Sequence, residues 1–231
     1  MEEKSLSVAL GDSLKEESIS CISNLAEVGL DAIMDDGIFK DVPILSTTIA
    51  VYKIGRSIKE RYNVKKLTIF LKALNSGILD EQKRRDYQQK FRSNEKFRNQ
   101  EIEYLLVLID RYISYNKPQF LAKLYLAYLD SIITWEELNM YAEVIDRFLP
   151  LDCRTLVSSN GEIVVHDNIG GESVLRLVAL GLMTETTDSS PFVQGSNGHI
   201  ALTFDGMKRS VSTDKVYRRT EFGNKLAKIL K

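Results

Sequence analysis

Residues 101–150 read EIEYLLVLIDRYISYNKPQFLAKLYLAYLDSIITWEELNMYAEVIDRFLP, and this stretch decides the fold class. Ile102, Leu105, Leu106, Ile109 and Ile113 recur every three or four residues, the spacing that gathers side chains on one face of a helix. After a turn at Asn116, Lys117 and Pro118 comes a second stripe of Leu121, Leu124, Tyr125, Tyr128 and Leu129. Thr134-Trp135-Glu136-Glu137 then has the pattern of a capping box. In that motif the threonine hydroxyl accepts from the amide three residues on, and Glu137 reaches back to the cap amide. Leu138, Tyr141, Ala142, Ile145 and Phe148 form the third stripe, which Pro150 is expected to close. Connections this short make consecutive helices antiparallel, so the stretch predicts a helical bundle.

Working upstream, Ile19, Ile22, Ala26, Leu30 and Ile33 predict a helix over residues 15–35, with Gly37 as its C-cap. Pro43 suits the first turn of a second helix reaching Tyr62. A third starts near Val64, shows Leu67, Phe70, Leu71 and Leu74 on one face, and stops before Asn75-Ser76-Gly77. Asp80 heads a polar helix whose apolar content is chiefly Tyr87 and Phe91, which should be the most exposed of the set. Downstream of Pro150 the pattern changes. Residues 162–166 are β-like, and Gly170-Gly171 precedes a helix with Val174, Leu175, Leu177, Val178 and Leu180. His199–Phe204 reads as a strand and Lys215–Arg219 as its antiparallel partner, before Thr220 caps a last helix carrying Phe222, Leu226, Ile229 and Leu230. The expected class is mainly α: an N-terminal helical bundle over residues 1–150, and a small α/β module over 151–231.

The composition excludes several kinds of chemistry. Among 231 residues there are two cysteines, Cys21 and Cys153, and two histidines, His166 and His199. No disulfide framework or thiolate zinc cluster follows from that. Cys153 and His166 could meet as a dyad, but no nucleophile motif or oxyanion arrangement accompanies them, and a packed cysteine with a surface histidine is the preferred reading. The carboxylates Asp130, Glu136 and Glu137 fall short of a calcium loop, and Gly170-Gly171 and Gly195-Ser-Asn-Gly198 are turns rather than phosphate cradles. The expectation is a non-enzymatic protein with no catalytic residues, no metal and no cofactor.

Charge is segregated although the net is −1. Residues 1–36 carry −7 and residues 37–75 carry +6. An acidic first helix near a basic second one is the simplest use of this asymmetry. The alternative is external, with the basic stretch facing phosphates or anionic lipid. The stretch Val42–Tyr52 has eleven uncharged residues, about 16 Å as a helix and too short to span a bilayer. It leads into Lys53, Arg56 and Lys59 at three-residue spacing, then Arg61, Lys65 and Lys66. Ile44, Leu45, Ile49, Lys53, Arg56 and Lys59 are therefore the candidate face for a membrane surface or a partner. A partly buried helix of a soluble bundle fits the same pattern and is preferred, since Ser46-Thr47-Thr48 weakens lipid affinity. With no basic, apolar leader after Met1-Glu2-Glu3-Lys4, the expected location is cytoplasmic, with a peripheral inner-membrane contact as the variant.

Two segments resemble winged-helix proteins: Arg176-Leu-Val-Ala-Leu-Gly-Leu-Met183 and Tyr217-Arg-Arg-Thr-Glu-Phe-Gly-Asn-Lys-Leu-Ala227. In that family a helix ends in a leucine-glycine-leucine step, a two-stranded wing follows, and the closing helix opens at a Thr-Glu-x-Gly element. The resemblance implies a winged-helix-like module, and for its DNA-binding members a transcriptional regulator. The candidate recognition helix departs from those members, because it carries only Arg176 among basic residues, offset by Glu172. The nucleic-acid contacts of this alternative are Arg176 together with Lys208, Arg209, Lys215, Arg218 and Arg219 on the wing side. A solvated hairpin edge using Arg and Lys to discourage strand pairing explains the same cations. The whole chain also resembles a group of uncharacterised bacterial helical proteins with such a module, some linked to abortive infection. Gly37–Leu74 and Leu105–Leu149 carry that likeness. The Ile133-Thr-Trp-Glu-Glu137 step is similar to the tellurite-resistance-type helical domain, with Leu129-Asp130-Ser131 standing where an Asp-Gly pair is expected. These resemblances imply a phage-defence or envelope-stress setting rather than metabolism. The expected function is a non-enzymatic interaction protein whose partner is a protein, a second copy, or the inner membrane surface; a DNA-binding regulator is the alternative.

Overall fold

The computed structural model describes residues 58–76, 82, 89, 93, 95–165, 171–186 and 215–231. The described residues are mainly helical, with one small three-stranded antiparallel sheet among them. It divides into two compact units between Arg147 and Phe148. Among the described residues no helix is long and apolar enough to cross a membrane.

The first unit contains α1 (Ile58–Ser76), α2 (Glu95–Arg111), α3 (Lys117–Leu129) and α4 (Trp135–Arg147). Gln82, Gln89 and Ser93 are helical and exposed, as the polar composition around them predicts. Val64, Leu67, Phe70, Leu71 and Leu74 of α1 are buried with Ile102, Leu105, Leu108 and Ile109 of α2. Leu121, Leu124 and Tyr125 of α3 and Leu138, Tyr141, Ala142 and Ile145 of α4 complete the core. Near α2's C-terminal end sit Tyr62, Asn63 and Lys66, while Phe70 lies further along against Tyr125. Helices α1 and α3 thus run one way and α2 and α4 the other.

Three local features place these helices. The capping box is complete: the Glu137 amide donates to Thr134 Oγ1 (3.2 Å) and the Thr134 amide donates to Glu137 Oε2 (2.9 Å). At the end of α3 the amides of Ser131 and Ile132 donate to the carbonyls of Tyr128 and Ala127, turning the chain through a left-handed residue, Ser131, at φ 57°. At α1 the expected break between Tyr62 and Val64 is absent; the helix runs unbroken through both, because nothing in Tyr62-Asn63-Val64 stops it. Ile113 also departs from its expected stripe. Helix α2 ends at Arg111, so Ile113 leaves the face and is 86% exposed, while Tyr112 turns inward.

The second unit is α5 (Pro150–Ser158), β1 (Glu162–Val165), α6 (Glu172–Ala179), β2 (Met183–Thr186), β3 (Lys215–Arg219) and α7 (Glu221–Leu230). Pro150 does not simply close α4. It opens α5 at a position where a missing amide costs nothing, and the carboxylate of Asp152 accepts the Leu149 amide at 2.8 Å. Phe148, expected on the α4 stripe, is buried but lies beyond the end of α4, as the first residue of this second unit. The sheet order is β1-β3-β2, with Tyr217 facing Ile163 on one side and Glu185 on the other. Both edges of β3 are therefore occupied by β1 and β2; His199–Phe204, expected as its partner, lies outside the described residues. Val165, Met183 and Tyr217 turn inward toward Leu177, Leu182, Leu226 and Leu230.

The junction of α6, β2 and α7 follows from two glycines. Gly181 takes φ +72° after α6, its amide donating to Val178 and that of Leu182 to Leu177, so the last carbonyls of the helix are satisfied. Leu182 is then buried, and its carbonyl accepts the Thr220 amide at 3.0 Å. Thr220 caps α7, its hydroxyl accepting from the Gly223 amide at 3.0 Å and donating to the Gly181 carbonyl at 2.7 Å. A Cβ on Gly223 would stand 2.0 Å from the Leu182 carbonyl oxygen, so only glycine lets α7 approach. Gly223→Ala is expected to cost about 3 kcal/mol by overpacking this contact, read as a lower denaturant midpoint at unchanged slope. An unshifted midpoint would contradict the packing described.

Candidate functional site

Cations are the residue type on which every candidate surface was built, so their placement decides what the surfaces can do. Ile44, Leu45, Ile49, Lys53 and Arg56 lie outside the described residues, as do Lys208 and Arg209. Lys59 is described and exposed on α1. The lysine one full stretch further on is not. Lys66 is 2% exposed, and its Nζ donates to the carbonyls of Asp110 (2.7 Å) and Tyr112 (3.0 Å). A Tyr62 ring lies 5.7 Å from the ammonium. Lys66 thereby serves the carbonyl groups left over where α2 ends, at the negative pole of that helix. Burial lowers its pKa, against the opposing pull of Asp110.

Lys117 repeats the device. Its Nζ donates to the carbonyl of Asp146 in the last turn of α4, over the ring of Tyr112 at 6.0 Å. Burial again lowers the pKa and Asp146 opposes it. Beside it Arg111 bridges two carboxylates of α4, Glu143 at 2.9 Å and Asp146 at 2.8 Å. The Tyr112 hydroxyl donates to the Ala142 carbonyl at 3.3 Å. At the opposite end of the same helices Glu101, 4% exposed, accepts from Tyr128 (2.6 Å) and Tyr125 (3.2 Å). Burial first, then the Glu101 hydrogen bond, raises the Tyr128 pKa. Rings of Tyr104 and Tyr128 lie against Trp135 at 5.6 and 5.3 Å, a packed aromatic group rather than an open cage.

In the second unit the described cations named for nucleic acid, Arg176, Lys215, Arg218 and Arg219, are each bonded to a neighbour. Arg176 presents Nε and Nη2 to Asp152, with the shortest contact 2.7 Å, and Asp152 is fully buried. Asp152 also accepts from Ser173 Oγ at 2.8 Å, so one carboxylate ties α5 to α6. Burial alone would raise its pKa, but the bonds from Arg176, the Leu149 amide and Ser173 outweigh it and hold the carboxyl below its usual value. Lys215 pairs with Glu185 at 3.2 Å, and Arg218 pairs across the ladder with Glu162 at 2.8 Å. Arg219 donates through Nη2 to the Ser159 carbonyl, with its Nε buried.

The chemistry-bearing candidates are placed as follows. Cys153 is a buried thiol on α5, and His166 lies outside the described residues. Glu137 is the cap partner of Thr134, and Glu136 is exposed. Sequence reasoning missed Asp152 and Lys66. A carboxylate three residues into a helix opened by proline was the available signal for Asp152, whereas no local signal marks Lys66, whose acceptors lie some 45 residues away. Comparison with family models, with curated proteins and with solved structures finds no match to this chain.

Asp152→Asn removes the charge on which Arg176, Ser173 and the Leu149 amide converge, and is expected to cost about 2–3 kcal/mol at pH 7. The native carboxyl titrates below the ordinary 3.8, so its contribution is complete above that pH and disappears as pH falls through the lowered value. Denaturation curves of the two proteins should therefore converge toward pH 2. A gap that stays constant across this range would contradict the assignment.

Proposed function

We propose that this protein is a non-enzymatic interaction protein that grips a protein partner. The observation that carries this reading is that Arg176, Lys215, Arg218 and Arg219 are each already bonded to a group of their own unit, Arg176 to the buried Asp152 and Lys215 and Arg218 to carboxylates at the surface. Phosphate contact at these positions would first have to break those bonds, and at Arg176 would strand a buried carboxylate. Burial of Lys66 supports a bundle role for the end of the basic stretch; of the candidate lipid-facing residues only Lys59 is described, and it is exposed.

The C-terminal unit is read here as a winged-helix-like module used for protein contact. Its sheet order, the leucine-glycine-leucine turn at Leu180–Leu182 and the Thr220 cap over Gly223 support that reading. Among the described residues a single helix, α6, lies between β1 and β2, where a helix-turn-helix has two in succession. A cytoplasmic setting in phage defence, drawn from the resemblance to abortive-infection proteins, belongs to the same proposal.

The test is a pair of binding assays at low salt, where phosphate contacts are strongest. Neither a gel shift with duplex DNA nor co-flotation with anionic vesicles is expected. A shift that weakens steeply with salt and is removed by Arg218→Ala with Arg219→Ala would replace this reading with the DNA-binding regulator.

A further inference from the structure

The chain passes from α5 to β1 through Ser159-Asn160-Gly161, and one arginine holds both neighbours of the asparagine. The Ser159 carbonyl accepts from Arg219 Nη2, and the Gly161 carbonyl accepts the Arg219 amide at 2.8 Å. Asn160, between these two anchored carbonyls, is exposed. Gly161 stands at φ +99° with nothing within 4 Å of the place a Cβ would take. Among the described residues no group accepts from its amide.

These features favour attack on the asparagine side chain by the backbone that follows it. A glycine amide has no Cβ to shield it, and one without a protein acceptor is not committed as a donor. The Gly161 nitrogen gives up its proton and bonds to Asn160 Cγ. The Cγ–Nδ2 bond breaks, and ammonia leaves with that proton. Water then opens the five-membered imide at one carbonyl or the other, leaving aspartate or isoaspartate at position 160. Water is the one co-reactant. We propose that Asn160-Gly161 is a site of spontaneous deamidation, and that its isoaspartate product releases the hold of Arg219 on the α5–β1 turn.

The release follows from where the atoms go. Isoaspartate routes the main chain through the Asn160 Cβ, so the path from Ser159 to Gly161 gains a methylene. Two carbonyls fixed by one arginine do not both keep their places when the chain between them lengthens. The Arg219–Gly161 bond continues the β1–β3 ladder just beyond the Glu162–Arg218 pair, so its loss loosens the start of β1. Aspartate at the same position adds the charge alone, near Glu162 and its partner Arg218.

The full chain is incubated in mildly alkaline buffer, folded and in urea. Asn160 and the second Asn-Gly pair, Asn197-Gly198, are followed by peptide mass spectrometry, with isoaspartate methyltransferase marking the rearranged product. Asn160 is expected to convert in the folded chain at a rate less than tenfold below that in urea. Tenfold or greater protection, or a product without isoaspartate, overturns the proposal. The purified isoaspartate form should melt about 3 °C below the starting protein. The Asn160→Asp variant should melt as the starting protein does, and Asn160→Gln should keep its melt through the same incubation. An unshifted isoaspartate form, or an Asn160→Asp variant that falls as far, overturns the release of Arg219. A falling melt in incubated Asn160→Gln overturns it in favour of damage elsewhere in the chain.

Discussion

A helix that ends inside a protein leaves carbonyl groups with no partner of their own, and their satisfaction governs this structure. Three ends are handled in two ways. Where α2 and α4 stop, lysine ammonium groups arrive from other helices: Lys66 at the carbonyls of Asp110 and Tyr112, Lys117 at that of Asp146. Where α6 stops, the chain turns through Gly181 and supplies the amides of Gly181 and Leu182 itself. The first solution ties distant helices together at their ends. The second delivers Leu182 into the core and aims its carbonyl at the start of α7.

The same economy of charge shapes what the protein presents outward. Asp152 gathers Arg176, Ser173 and the Leu149 amide, and the cations of β3 lean on Glu185, Glu162 and the Ser159 carbonyl. Exposed pairs of this kind contribute little to stability individually. Their consequence is for recognition, because a guanidinium already held by a carboxylate is a poor receptor for phosphate.

The periodic parts of the fold were legible. Leu67, Phe70, Leu71 and Leu74, with Leu121, Leu124 and Tyr125 of α3 and Leu138, Tyr141, Ala142 and Ile145 of α4, are buried as their spacing requires, and Thr134 with Glu137 forms the cap that its four-residue pattern describes. Errors cluster where local pattern is ambiguous. A proline can end one helix or open the next, and at Pro150 it opens α5. A stripe can outlast its helix, and Ile113 lies beyond the end of α2. Strand partners are set by topology rather than by adjacency in sequence, so β3 paired with β1 and β2. The cations were least legible of all. Lys59 and Lys66 look alike in the sequence, yet one is exposed and the other lies against carbonyls contributed by residues 110 and 112.

That contrast is open to direct measurement. Brief acetylation of the native protein at neutral pH, followed by peptide mass spectrometry, compares the reactivity of each lysine with its reactivity in urea. The account predicts that Lys59 labels at the same rate in both states, while Lys66 is protected at least tenfold until the protein unfolds. Lys66 labelling as fast as Lys59 in the native state would contradict the claim that the basic side chains of this protein serve its own helix ends first.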